Sequence, residues 1–356
     1  MTTVAAPSTA RAPADEPTVR AVEARLHDLF AAQRADWARY PNANDLVDDL
    51  AAAVMAGGKR LRPRFCHWGH VGATGQAPGA DAVDAAAALE MLHAFALIHD
   101  DIMDGSGVRR GVPSAHAVQA QRHSHRQWRG ERRRFAEGTA LLLGDLAFSL
   151  ANRLVSSLQP RAQAVWYEMC SELVLGQYLD VRGAAAADRT PGCATAVATL
   201  KTARYTAVRP LLLGAAVAGA DTRLHDVYLA YGDAVGRAFQ YRDDLLGVFG
   251  DPDRTGKPVG EDLREGKPTL LLALTCRRAP ASAQPLLNRV GRADLSEADL
   301  AEIIHLCEST GARDDLLGRI EAAVEGAIEA IGSPAVHPAA VPGLVALAWA
   351  AARRDR

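Results

Sequence analysis

Apolar residues recur at three- and four-residue intervals through nearly every segment of the chain, while the period-two alternation of a half-buried strand is scarce. Alanine is abundant and Val/Ile/Thr alternation is rare, so helices are expected throughout and no sheet. The spacing predicts helices over 17–39, 43–56, 60–72, 80–105, 114–123, 136–158, 160–182, 193–206, 207–219, 222–248, 267–278, 296–309, 312–331 and 338–354. Glycine and proline break the pattern at Gly75-Gln-Ala-Pro78, Gly105-Ser-Gly107, Asp188 to Gly192, Gly250-Asp-Pro252 and Ala279 to Ser282. The clearest start signal is Ser296-Glu-Ala-Asp299, a capping-box pattern with Asp in place of Glu. None of the breaks has the composition of a linker, so residues 17–356 read as one large helical domain. Residues 1–16, rich in Ala, Pro, Thr and Ser, read as a disordered tail without the apolar core of a leader.

Adjacent carboxylates interrupt the apolar pattern twice. In the first place Asp100 and Asp104, four apart, project from one face of a helix, with Asp101 about 100° away. In the second, Gln240, Asp243, Asp244 and Gly247 fall at i, i+3, i+4 and i+7 among Phe239, Tyr241, Leu245 and Leu246. A carboxylate in apolar surroundings must be paired or must hold a cation, and two carboxylate rows suit magnesium carrying a phosphate ligand. A diphosphate site is the reading. Gly247 stands where a third carboxylate would complete the second row, and Asp251, four residues on, could supply that charge.

Composition changes the picture in one respect. Among 40 basic residues only four are lysines, Lys59, Lys201, Lys257 and Lys267, and each sits in a motif-like setting. Lysine is a compact point charge that meets a phosphate oxygen where a planar guanidinium fork does not fit. In Gly57-Gly58-Lys59-Arg60-Leu61-Arg62-Pro63 the glycines let backbone approach an anion at a helix start, and Lys59 and Arg62 add charge. Net charge of −2 argues against wholesale nucleic-acid binding. Five scattered cysteines without a CxxC pair suggest neither a zinc site nor a disulfide framework, which suits a reducing cytoplasm. The longest apolar runs, 211–220 and 341–352, fall short of the roughly 20 residues of a membrane span, so a soluble protein is expected. Residues 122–134 carry six arginines and read as a solvated loop or as a lid or docking patch.

Taken in order, Gly57-Gly-Lys-Arg-Leu-Arg-Pro63, His93 to Asp104, Arg109-Arg-Gly-Val-Pro113, Leu143-Gly-Asp145, Lys201-Thr202 and Phe239-Gln-Tyr-Arg-Asp-Asp244 resemble the polyprenyl synthetase family, the trans-isoprenyl diphosphate synthases. The resemblance runs from about Lys59 to Lys267. It implies the all-α isoprenoid synthase fold, helices around a central cavity, and a homodimer. It also implies that Lys59, Arg62, His93 and Arg110 bind isopentenyl diphosphate, and that Arg109, Lys201, Lys257 and Lys267 bind the allylic diphosphate. Asp100, Asp104 and Asp243 would hold three magnesium ions, with Asp101 and Asp244 in support and Thr202 and Gln240 near the developing allylic cation.

The implied reaction is ionisation of the allylic diphosphate, attack by the double bond of isopentenyl diphosphate and loss of a proton. Chain length would depend on residues below the first acidic helix end: Ala96 one turn from Asp100, the bulky Phe95, and Leu92 a turn deeper. That pattern resembles geranylgeranyl synthases, with farnesyl length next. Two other readings stay open, a noncatalytic or partner-dependent synthase-like subunit and a class I terpene cyclase.

Overall fold

The structure, a computed structural model, describes residues 16–109, 111–220, 222–251 and 259–353. Residues 1–15 of the expected tail, and the candidates Arg110 and Lys257, lie outside them. The chain groups into two compact units, one containing Ala14–Trp166 with Leu213–Ala220, the other Tyr167–Leu212 with Asp221–Arg356.

The first unit is built from α1 (Glu16–Trp37), α2 (Ala43–Met55), α3 (Leu61–Thr74), α4 (Ala80–Asp104), α5 (Ala115–His125), α6 (Arg132–Val155) and the start of α7 (Pro160–Ala185). Helix α4 is its spine. Every residue from Ala85 to Leu92 is buried, because a helix apolar on all sides can only be covered on all sides, here by α1, α3 and α6. By length and composition α4 could cross a membrane, a property shared by central helices of globular units, and most of it is buried within this one. Helices α4 and α6 come close at Gly144, where a β-carbon would overlap the His99 ring.

One expectation needs correction. After α4 the chain forms a two-stranded antiparallel ribbon, β1 (Val108–Arg109) and β2 (Val112–Pro113), pairing Val108 with Pro113 and Arg109 with Val112. Strands of two residues are too short to carry an alternation signal.

The second unit holds the rest of α7, then α8 (Pro191–Val197), a π-helical segment (Ala198–Val208), the start of α9 (Arg209–Val217), whose remainder belongs to the first unit, and the long α10 (Arg223–Phe249). Short α11 (Glu261–Glu265), α12 (Leu270–Arg278), α13 (Gln284–Leu287), α14 (Glu297–Ser309), α15 (Ala312–Ala330) and α16 (Val341–Ala352) follow. Helix α10 is central here, packed against the π segment, α15 and α16, and its buried Tyr231 donates to the Leu344 carbonyl at 2.7 Å. The Ser296–Asp299 capping box forms as expected at the head of α14.

The break expected at residue 206 is absent. The chain instead runs as one helix from α8 through the π segment, and three glycines explain how it is held. A β-carbon at Gly176 would overlap the Lys201 backbone, one at Gly232 would meet Val208, and one at Gly236 would meet Ala203. The widened turns are therefore pressed between α7 and α10 at backbone contact, and π turns are frequent where a chain must aim side chains for function. Glu172 on α7 adds a fixed anchor, receiving Arg204 at 2.6 Å and Arg209 at 2.8 and 2.7 Å. Burial works to raise the Glu172 carboxyl, but the two guanidinium groups outweigh it and hold it below the usual range.

Candidate active site

The candidate residues form two sets, one in each unit. In the first, Asp100, Asp101 and Asp104 occupy the last turn of α4, which Gly105 ends in a left-handed conformation at φ 68°, its N–H bonding the Asp101 and Ile102 carbonyls. That turn contains no basic residue, so three carboxylates stand at the negative end of a helix dipole, an arrangement that favours cations. Asp101 is buried and Asp100 and Asp104 are partly exposed. Arg109, delivered by β1, donates through Nε to Asp101 at 2.8 Å and lies 3.2 Å from Asp100. Burial pushes the Asp101 carboxyl up, and Arg109 pulls against it. The ribbon missed in the sequence is what carries Arg109 to the acidic turn.

The glycine-rich turn before α3 separates its two leading cations. Gly57 and Gly58 adopt φ of 95° and 144°, backbone that side-chain-bearing residues rarely adopt, and Lys59 is exposed. Arg60 turns inward instead: it donates to the Val54 carbonyl at 3.1 Å and to Glu90 on α4 at 2.5 Å, with both side chains of that pair 5% exposed. Arg62 and His93 are half-buried. Along α4 below Asp100, Ala96 is half-buried, Leu92 is fully buried, and Phe95 packs on His99 and Phe148 with ring centroids 4.6 and 5.0 Å apart.

In the second unit the candidates form a continuous chain of contacts. Thr202 on the π segment donates to Gln240 at 2.5 Å, Gln240 donates to Asp244 at 2.8 Å, and the other Asp244 oxygen accepts the Leu270 N–H at 3.1 Å. Asp244 is buried, and burial pushes its carboxyl up to about 8, with the neighbouring Asp262 and Asp243 carboxylates adding to the rise. Asp243, one residue earlier on α10, is half-buried. Lys201 meets Asp180 of α7 at 2.5 Å, and Lys267 meets Glu265 at 2.7 Å with Asp262 4.0 Å away.

Gly247 has a physical account. A β-carbon there would overlap the Asp262 carboxylate, and all three of the nearest atoms to that position belong to Asp262. The carboxylate beside Gly247 is that of Asp262, carried by the short α11.

Asp180, Asp262, Arg60 and Glu90 were not among the sequence candidates. Asp180 carried a signal, a carboxylate inside the apolar run Leu173 to Val181, and Asp262 lies five residues before the marked Lys267. Arg60 and Glu90 carried none, because nothing local distinguishes an inward arginine from its outward neighbours.

The donor set fits magnesium. All the acidic candidates are carboxylates, hard oxygen donors, and among the described residues no three His, Cys, Asp or Glu close into a cage of their own. Magnesium is bound in that manner, through one or two carboxylates with substrate phosphates and water completing the shell.

Helices throughout, with acidic turns on two long helices and basic side chains brought to each, define an isoprenoid synthase. A model of the polyprenyl synthetase family matches residues 44–307, and the chain belongs to that family of prenyltransferases. It is 34% identical over 267 residues to a short chain isoprenyl diphosphate synthase of Methanothermobacter thermautotrophicus, covering 73% of this chain and 76% of that one. It is 32% identical over 321 residues to the geranylgeranyl diphosphate synthase of Mycobacterium tuberculosis, covering 86% and 83%. The crystal structure of a geranylgeranyl pyrophosphate synthase from Corynebacterium glutamicum, complexed with isoprenyl diphosphate and magnesium, matches with a TM-score of 0.89 at 37% identity, over 95% of this chain and 98% of that one.

Proposed function

We propose that this protein joins isopentenyl diphosphate head to tail to an allylic diphosphate, releasing pyrophosphate and a short-chain trans-prenyl diphosphate. The observation that carries the reading is the acidic last turn of α4, three carboxylates at the end of a helix where a cation is favoured, with Arg109 brought to them by β1. Asp100, Asp104 and Asp243 would hold the magnesium ions, three by family resemblance. Bound magnesium would neutralise the diphosphate charge that grows as the allylic C–O bond breaks.

The chain's own groups do the rest. Lys59, Arg62, His93 and Arg110 bind the diphosphate of isopentenyl diphosphate, and Arg109, Lys201, Lys257 and Lys267 that of the allylic substrate. Asp180 holds the Lys201 ammonium in place, as the 2.5 Å contact suggests. Thr202 and Gln240 present oxygen dipoles to the allylic cation, kept in register by the buried Asp244, and Asp262 acts as the third carboxylate of its cluster. The isopentenyl double bond attacks the cation, and the proton it loses goes to the released pyrophosphate. The whole of 17–356 works as one catalytic domain in the cytoplasm. Incorporation of labelled isopentenyl diphosphate into an extractable product, abolished by a chelator and restored by magnesium, is the expected result; chelator-resistant incorporation would remove the metal assignment.

Product length is proposed as geranylgeranyl, with farnesyl next. Ala96 leaves space one turn below Asp100, and Leu92 closes the next turn. An Ala96→Phe variant is expected to shift the main product to a shorter chain on mass analysis; unchanged length would take Ala96 out of the tunnel wall.

A homodimer is part of the same proposal. On α7 the exposed Tyr167, Val174, Tyr178 and Val181 follow spacings of seven, four and three, an apolar seam of the kind helices bury against a partner. Leu141 and Leu142 on α6 are exposed as well.

A further inference from the structure

The turn between α5 and α6 and the first turn of α6 concentrate positive charge that the proposed chemistry does not use. Residues 122–134 contain six arginines and one acidic residue, Glu131, in a chain of net charge −2. Arg122 is tied down by Asp49, each of its two terminal nitrogens 2.6 Å from a carboxylate oxygen, and it anchors the base of the turn. Arg133 is engaged by Glu137 at 2.6 Å. Arg126, Arg129, Arg132 and Arg134 are exposed.

Three of these arginines lie where helix stability disfavours them. Arg132, Arg133 and Arg134 form the first turn of α6, which contains no acidic residue, and the helix N-terminus is itself positive. Glu131 caps that end by accepting from the Arg133 and Arg134 N–H groups at 3.2 Å, which offsets part of the repulsion and leaves the guanidinium groups outward. A positive helix end that adds cations gathers a local potential suited to anions.

The second observation is Trp128, at the tip of the turn and 44% exposed. It is held rather than loose: its ring stands 5.1 Å from the Phe135 ring, the His123 ring lies 5.3 Å from Phe135, and the Trp128 backbone N–H donates to the His123 carbonyl at 3.1 Å. An indole held at a tip and flanked in sequence by Arg126 and Arg129 combines the two elements that seat a protein on a charged bilayer, an aromatic anchor at headgroup level and cations against anionic lipid. Single-stranded nucleic acid also stacks on aromatic rings beside arginine, but a net charge of −2 disfavours it, and capture of nucleic acid or protein is an outcome the test separates.

We propose that the α5–α6 turn docks this protein on anionic phospholipid surfaces, with Trp128 entering the headgroup layer and Arg126, Arg129, Arg132 and Arg134 facing lipid phosphates. The inference stands independently of the reaction assigned above. Docking at this turn would place the enzyme beside the membrane into which an amphiphilic product partitions.

The test is sedimentation of the full chain with vesicles of phosphatidylcholine alone and of phosphatidylcholine mixed with phosphatidylglycerol. Binding is expected only to the anionic vesicles, weakened by salt and unaffected by an equal concentration of inorganic phosphate. Each arginine is expected to contribute about fivefold to partitioning, so changing Arg126, Arg129, Arg132 and Arg134 together to Ser should reduce it by about 10²- to 10³-fold while isopentenyl transfer in solution is unchanged. Trp128→Ser should weaken binding with the arginines intact. Equal binding to both vesicle types, an unaltered quadruple variant, loss of binding to inorganic phosphate, or capture of nucleic acid without vesicle binding would each overturn the proposal.

Discussion

An Asp243→Ala variant is expected to lose about 10²- to 10³-fold in kcat, the usual cost of removing one group that stabilises charge developing in a transition state. Asp243 is half-buried on α10 beside the Thr202–Gln240–Asp244 chain, so its loss leaves that scaffold intact. The same order of loss is expected for Asp262→Ala, since its carboxylate fills the space beside Gly247. The informative variant is the double one. With Asp262 shortened, Gly247→Asp should recover part of the activity and of the magnesium affinity measured by calorimetry with pyrophosphate, whereas Gly247→Asp alone should force two carboxylates into one space and weaken both. Wild-type magnesium affinity in Asp262→Ala would show that Asp262 has no part in holding metal.

Glu90→Ala is expected to destabilise the first unit by about 3 kcal/mol, because it removes the buried carboxylate paired with Arg60 and leaves the guanidinium only the more exposed Glu23, 3.5 Å away. The pair is 5% exposed on both sides at 2.5 Å, and Arg60 reaches from the Lys59 turn to α4 while also binding the Val54 carbonyl. A paired replacement, Arg60→Met with Glu90→Leu, should restore most of the loss, since two apolar groups of similar volume leave no charge stranded. Denaturant unfolding reads the stability, and hydrogen exchange at the start of α3 reads whether the glycine turn has loosened. An unchanged midpoint in Glu90→Ala would mean that Glu23 or water satisfies Arg60 without it.

The long helices could be placed because α6, α7 and α10 each keep a 3.6-residue pattern for twenty residues or more, and α4 is an unbroken alanine-rich apolar stretch too long for a strand. Periodicity placed a boundary at 206 where none exists, since the π segment is imposed by Gly176, Gly232 and Gly236 on neighbouring helices, contacts remote in sequence. It put the start of α6 at 136 rather than 132, because an arginine cluster carries no apolar period and the Glu131 cap was not recognised. The acidic residues could be found because charge in an apolar run is conspicuous, and the lysines because they are rare in this chain. What could not be found was partnership. That Lys201 meets Asp180, or that Asp262 stands beside Gly247, depends on how α7 and α11 fold back, which no local pattern encodes.

The central measurement is product chain length by mass spectrometry after incubating the protein with magnesium, isopentenyl diphosphate and, separately, dimethylallyl, geranyl or farnesyl diphosphate. Elongation ending mainly at geranylgeranyl diphosphate is the expected result, with farnesyl diphosphate next. Folded, magnesium-loaded protein that elongates none of the three primers would contradict it and favour the noncatalytic or partner-dependent reading.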